Sequence, residues 1–267
     1  MILSPIEQSI KRKIETVGTP LKDWDINIYR GVLTGCNEAF IISTEKRNEI
    51  LANCKTEDER KRTAELIRPI LRGRDIKRYG YEWANLWLIN THNGIKGKLE
   101  RINIEDYPAV KAHLDQFWDK IKDRADQGDT PYNLRNCAYL EDFDKPYMAY
   151  CEIGFEMNAC LIPKQTYINN KAYLVSGRNL NFLLLFFNSK LFNRIILKSA
   201  NLTGGKGVDF MSKIHVPYLD DEIQERVEYL LRGNASEEDR DSFIYDLYSL
   251  SSNERDFVQS LYPPLQQ

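Results

Sequence analysis

The apolar residues of this 267-residue chain come in short runs, and the longest, Phe182–Phe187, is only six residues. A membrane-spanning helix needs about 20 consecutive apolar residues, and Lys190 and Arg194 follow this run closely, so none is expected. What the pattern permits is a mixed α/β (α+β) body of short strands and helices around a common core. The length suits one large domain, or one domain with an appendage. With 42% apolar and 28% charged residues, a core of normal size is available. The N-terminal MILSPIEQSIKRK places its bases after its apolar residues, the wrong order for a secretory signal. A cytoplasmic location is expected.

Periodicity places the elements. Trp24–Arg30 alternates as a strand does, Glu38–Ile42 is a second β-type run, and the intervening GVLTG marks a turn. Thr44–Cys54 and Glu57–Ile67 read as helices, the second ending by Arg68 because Pro69 disfavours helix before it. This leaves Arg72-Gly73-Arg74-Asp75 as a loop. Trp83–Asn90 reads as a buried strand, and Tyr107, Val110, Leu114, Phe117, Trp118 and Ile121 follow the spacing of one core-facing helix. Residues 128–146 are loop-like. Short β-type runs follow at Tyr147–Ile153, Ala159–Ile162, Thr166–Ile168 and Ala172–Val175, then a helix over Leu180–Lys198 and a strand over Lys213–Leu219. Two helices are expected beyond Asp220, the second opened by a Ser236/Asp239 capping box.

The net charge of −2 hides a strong polarity. Residues 219–267 carry 12 acids and 4 bases, whereas residues 1–218 carry 33 bases and 27 acids. Two stretches of the body are concentrated: Arg60–Arg78 is +6, and Lys164–Tyr218 has eight bases against Asp209 alone. Each phosphate neutralised by Lys or Arg releases counterions, so such stretches suit a nucleic-acid partner. Charge runs are also ordinary solvated faces. Neither stretch combines a basic face with a clean apolar one, so a membrane surface is not indicated. Tyr79, Tyr81, Trp83 and Trp87 follow the first basic stretch; base stacking on Tyr79 or Tyr81 and core packing are both open, and Trp87 reads as core.

The catalytic search is largely negative. Cys36, Cys54, Cys137, Cys151 and Cys160 contain no C-x-x-C pair, and His92, His113 and His215 have no metal-ligand spacing. There is no nucleophile elbow, Walker loop or dinucleotide fingerprint. Thr203-Gly204-Gly205-Lys206-Gly207 has the composition of a phosphate cradle without a nucleotide-motif spacing; it either wraps a phosphodiester or makes a tight turn. Glu59-Arg60-Lys61 matches the E-x-K of metal-dependent nucleases, but within a helical segment rather than on a strand. The pairs Asp220/Asp221 and Glu237/Glu238 stand near helix starts, where carboxylates suit the macrodipole.

The ordered blocks WDINIYRGVLTGCNEAFII (24–42), IRPILRGRDIKRY (67–79), WLI (87–89), DTPYNLRNCAY (129–139), NSKL (188–191), a Thr-Gly-Gly turn before IHVPYL, and FIYDLYSLSSNERDFV (243–258) together resemble one family. It is the C-terminal specificity domain of Taq-type DNA adenine methyltransferases, including the fused type IIG restriction-modification enzymes. The resemblance covers nearly the whole chain. It implies a target recognition domain that reads duplex DNA while a separate catalytic domain flips out an adenine and methylates N6 from S-adenosylmethionine, Mg²⁺ serving any cleavage by the parent enzyme. The family's N-P-P-[YF] motif is absent here, as is its glycine-rich cofactor motif. The resemblance thus implies the specificity part alone, without catalysis or a cofactor of its own, from a longer protein or a split gene.

Carried onto this sequence, the resemblance divides the chain into a lead-in or linker (1–22), a recognition domain (23–218) and an acidic helical appendage (219–267) that packs against a catalytic domain or subunit. Its first block corresponds to Arg30, Gly31, Thr34, Gly35 and Asn37, and its arginine-rich block to Arg72, Gly73, Arg74 and Asp75. Asp75 has the chemistry to buttress either Arg72 or Arg74. Arg74, Lys77, Arg78, Lys198 and Lys206 are the candidate phosphate contacts, and Arg72, Arg74 and Lys206 are expected to share one cleft. Base readout is expected from Arg, Asn or Gln in loops reaching the major groove. The competing readings are a small Mg²⁺-dependent nuclease using Glu59 and a protein-interaction module without DNA affinity.

Overall fold

The computed structural model describes residues 3–154, 156–198, 205–217, 219, 221–233 and 235–261. Its fold is mixed α/β. Twelve strands are found among these residues: β1 (Gly18–Pro20), β2 (Ile26–Arg30), β3 (Ile41–Ser43), β4 (Ile67–Leu71), β5 (Ile76–Lys77), β6 (Gly80–Tyr81), β7 (Leu86–Ile89), β8 (Tyr147–Cys151), β9 (Ala159–Ile162), β10 (Tyr167–Ile168), β11 (Ala172–Gly177) and β12 (His215–Pro217).

One antiparallel sheet, in the order β2-β11-β8-β9, is the spine of the fold. All five residues of β8 are buried, because side chains that alternate across a strand here meet a core on each face. Met148, Tyr150, Tyr173 and Val175 face one core, shared with helix α1 (Pro5–Val17), the helix Leu180–Phe187 and the C-terminal helices. Tyr147, Ala149, Ala172 and Leu174 face the other. That second core lies under the sheet β10-β4-β7-β3, in which β10 runs parallel to β4 and the remaining pairs are antiparallel. The hairpin β5–β6 and the pair β1–β12 complete the strands.

Four local expectations are corrected. The second β-type run is a helical turn, α2 (Asn37–Phe40), followed by β3; Ala39 and Phe40 are both fully buried, which adjacent strand positions facing one core do not achieve. The helix expected over Tyr107–Ile121 is two pieces, Pro108–Asp115 and Trp118–Ile121, because Phe117 leaves helical geometry at φ −109° and ψ 14°. Trp118, expected in the core, is 42% exposed and lies against Tyr132 with ring centres 5.6 Å apart. The helix expected over Leu180–Lys198 stops at Phe187. There Asn188 pairs with β9 as a strand residue would, its Nδ2 donating to the Ala159 carbonyl at 2.9 Å and its Oδ1 accepting from the Ala159 N–H at 3.1 Å. A π-helical turn, Phe192–Ile196, follows.

Beyond residue 220 the described residues form three helices rather than two, Asp221–Arg232, Glu237–Leu247 and Ser252–Ser260, and capping boxes open the second and third at Ser236/Asp239 and Ser251/Glu254. Residues 5–17, for which the sequence suggests no element, form α1; its Ile10 and Ile14 enter the core shared with the C-terminal helices. Among the described residues no helix is long and apolar enough to cross a membrane.

Candidate nucleic-acid interface

Two Arg-Gly steps of the body, Arg30-Gly31 and Arg72-Gly73, meet at one turn. Arg30-Gly31 ends β2, Arg72-Gly73 follows β4, and between them lies Asn169-Asn170-Lys171, the turn linking β10 to β11. A Cβ at Gly31 would overlap the Asn169 carbonyl and one at Gly73 the Lys171 carbonyl, so only glycine admits this approach. Asn169 ties the three segments together. Its N–H donates to the Leu71 carbonyl at 2.9 Å, and its side-chain Oδ1 accepts from the Gly73 N–H at 3.2 Å and the Lys171 N–H at 3.1 Å. The Gly31 N–H donates to the Ala172 carbonyl at 2.9 Å.

Cations gather on this turn with two acids placed among them. Arg30 pairs with Glu152 and donates from Nε to the Asn170 carbonyl at 3.1 Å. Lys171 Nζ lies 3.9 Å from the same Glu152. Arg72 and Asp75 form the bidentate pair for which the sequence left two arginines open: Nη2 is 2.7 Å from Oδ1 and Nε 3.0 Å from Oδ2, holding the guanidinium pKa up. Arg74 is exposed and makes no hydrogen bond or ion pair with any described residue. Lys77, on β5, is exposed and 3.5 Å from Glu82.

Of the nine candidate residues, the fold thus brings Arg30, Arg72 and Arg74 to one turn, with Lys77 on the adjoining hairpin. The others stand elsewhere. Arg78 turns toward the C-terminal helices, pairing with Glu237 and donating to the Asn188 carbonyl at 3.1 Å. Lys198 binds Glu7 of α1 at 2.6 Å. Lys206 is 3% exposed, its Nζ donating to the Glu156 carbonyl at 2.8 Å and lying 3.7 Å from Cys151 Sγ; burial pushes its pKa down. Residues 201–204 of the glycine-rich loop lie outside the described residues, as does Asp220.

Thr34 and Asn37 belong to a different construction. Thr34 is 2% exposed and donates from Oγ1 to Asn37 Oδ1 at 2.7 Å, while its carbonyl accepts from Arg124 Nε at 3.0 Å. Arg124 is itself buried, bonds the Ile121, Pro131 and Asn133 carbonyls, and lies over the Phe40 ring at 4.6 Å. Sequence reasoning passed over Asn169, Asn170, Lys171 and Glu152. Asn169-Asn170-Lys171 is a polar triplet between two β-type runs, which marks a turn but does not say what surrounds it, and Glu152 lies within a β-type run with nothing to single it out.

The nuclease reading of Glu59 does not survive the geometry. Glu59 is buried in the first turn of the helix Glu57–Leu66, where Oε2 accepts from the Lys55 N–H at 2.8 Å and Oε1 from the Ala109 N–H at 3.1 Å. Oε1 thereby binds an N–H in the first turn of the helix Pro108–Asp115, and Oε2 the N–H of the residue before the Thr56 N-cap. No cluster of three or more His, Cys, Asp or Glu suited to a metal ion occurs among the described residues.

No protein-family model matches the chain, and no curated protein matches it in sequence. Its fold is similar to part of the type IIL restriction-modification enzyme MmeI, solved in complex with DNA, with a TM-score of 0.56 and 12% identity over 92% of this chain and 37% of that one. It is similar also to part of the type IIG restriction endonuclease BpuSI, with a TM-score of 0.50 and 12% identity over 97% of this chain and 34% of that one. The chain therefore spans about a third of the length of each and shares its mixed α/β fold with that portion of two restriction-modification enzymes.

Proposed function

We propose that this chain is a target recognition unit of a restriction-modification enzyme, binding double-stranded DNA sequence-specifically while catalysis belongs to a methyltransferase domain or subunit outside it. The observation that carries the reading is the convergence of Arg30, Arg72, Arg74 and Lys171 on the turn at Asn169, with Arg74 left without any protein partner among the described residues. Cations held on a rigid turn set register on the phosphate backbone, and side chains near them reach base edges. The likeness of fold to two restriction-modification enzymes, one of them bound to DNA, supports the same reading.

Residues 23–218 would supply the DNA-reading body. The segment 219–267, with 12 acids against 4 bases, would be repelled by phosphate and would face the catalytic partner instead. S-adenosylmethionine, and Mg²⁺ for any cleavage, would be bound by that partner. The test is retention of this chain on a pool of random duplexes at low and moderate salt, followed by sequencing. An enriched short motif supports the reading; binding without enrichment assigns specificity to the assembled enzyme, and no binding favours a protein-interaction module.

A further inference from the structure

The cations at the Asn169 turn are of two kinds. Arg74 has no partner among the described residues and Lys171 only a distant one, so both can neutralise phosphate. Arg72 is different. Its Nε lies 3.0 and 3.2 Å from the two oxygens of Asp75 and its Nη2 lies 2.7 Å from Oδ1, while Oδ2 also accepts the backbone N–H of Arg72 at 2.8 Å. Asp75 is buried in the 3₁₀ turn Gly73–Asp75, so the guanidinium is anchored to the fold at its own backbone.

Two consequences follow. The pair is near neutral, so Arg72 adds little to the phosphate-attracting charge of the turn, while its removal leaves the Asp75 carboxylate unpaired. Both N–H groups of Nη1 and the second of Nη2 meet no acceptor among the described residues, which leaves a planar set of donors already fixed in one rotamer. A planar fork of donors matches the O6 and N7 acceptors that guanine alone presents together in the major groove. Holding the fork in advance removes much of the entropy cost of using it.

We infer that Arg72 reads a guanine edge in duplex DNA, with Asp75 as its positioning residue, while Arg74 and Lys171 contact phosphate. This rests on the proposed DNA-binding function. The experiment takes the duplex enriched by the full chain and measures affinity for it and for its single-base-pair variants, with Arg72→Met, Arg72→Gln and Arg74→Met compared against the unaltered chain and folding checked by circular dichroism.

The expected result is a guanine position whose roughly 5- to 150-fold preference disappears in Arg72→Met while the other positions keep theirs. Arg72→Gln, which retains a donor for Asp75 and has the amide that pairs with adenine, moves the preference at that position toward adenine. Arg74→Met weakens binding to every variant alike. Uniform weakening by Arg72→Met with the motif unchanged overturns the inference and leaves DNA binding standing, as does wild-type binding without a guanine preference. Failure of the unaltered chain to retain any duplex overturns both.

Discussion

Glu254, on the C-terminal helix Ser252–Ser260, accepts a hydrogen bond from Lys13 of the N-terminal helix at 2.6 Å, and through it the two ends of the described chain are clasped. Ser9 of the same N-terminal helix donates to the other Glu254 oxygen at 2.8 Å, and Lys198 binds Glu7 at 2.6 Å. Burial of Glu254 opposes its ionisation, yet the bonds from Lys13, the Ser251 backbone and Ser9 hold its carboxyl at about 2. The bond from Lys198, with those from Ser4, holds Glu7 at about 2 as well. Carboxyls depressed on folding contribute stability that is complete above their ordinary pKa and lost as pH falls through the folded value. The clasp should therefore weaken between about pH 4.5 and pH 2. Glu254→Gln should cost about 1–3 kcal/mol at neutral pH and flatten the acid limb of a stability-versus-pH curve measured by thermal unfolding.

Asn169 offers a second test. Asn169→Ala leaves the Gly73 and Lys171 N–H groups without their acceptor, at about 1–3 kcal/mol for a buried group. Because the same turn carries the basic cluster, its duplex affinity should fall even at temperatures where the variant is folded. Gly73→Ala should act in the same direction, since the added Cβ meets the Lys171 carbonyl. Urea titration followed by a binding curve at low denaturant separates the two effects.

Arg124 is a buried cation whose acceptors are all carbonyl oxygens, on Thr34, Ile121, Pro131 and Asn133. An ammonium has a single nitrogen and cannot span them. Arg124→Lys should thus destabilise by about 2–4 kcal/mol although it conserves charge, and should leave the salt dependence of DNA binding unchanged. Chemical denaturation together with a binding isotherm at two salt concentrations reads both.

Glu59→Ala removes the acceptor for the Lys55 N–H and for the Ala109 N–H at the start of the helix Pro108–Asp115. The expected outcome is a stability loss of about 1–2 kcal/mol, seen as a lower Tm, with no Mg²⁺-dependent cleavage of duplex DNA by either the altered or the unaltered chain.

Short β-type runs of apolar residues mark β8, β9 and β11, and the Ser236/Asp239 box opens a helix where expected, because these signals depend on neighbours in sequence. Trp118 and Asn188 show where that locality fails. Trp118 kept helical spacing but sits after a break at Phe117, and Asn188 ended a strongly apolar helix by bonding a strand 29 residues away. The candidate site divides in the same manner. Arg30-Gly31 and Arg72-Gly73 are visible as motifs, but their meeting depends on Gly73 reaching Asn169 across 96 residues, which no local pattern encodes. Lys206 belongs to a basic stretch by composition, which does not encode that its ammonium turns inward to the Glu156 carbonyl.

Contact of the Asn169 turn with the phosphate backbone of duplex DNA should show in the slope of log Kd against log salt, measured for the unaltered chain and for Arg74→Ala combined with Lys171→Ala. Binding should be salt-sensitive, with a slope that falls by about 2 in the double variant, close to one for each phosphate contact removed. A slope unchanged by the double substitution, or no binding at low salt, refutes phosphate contact at this turn.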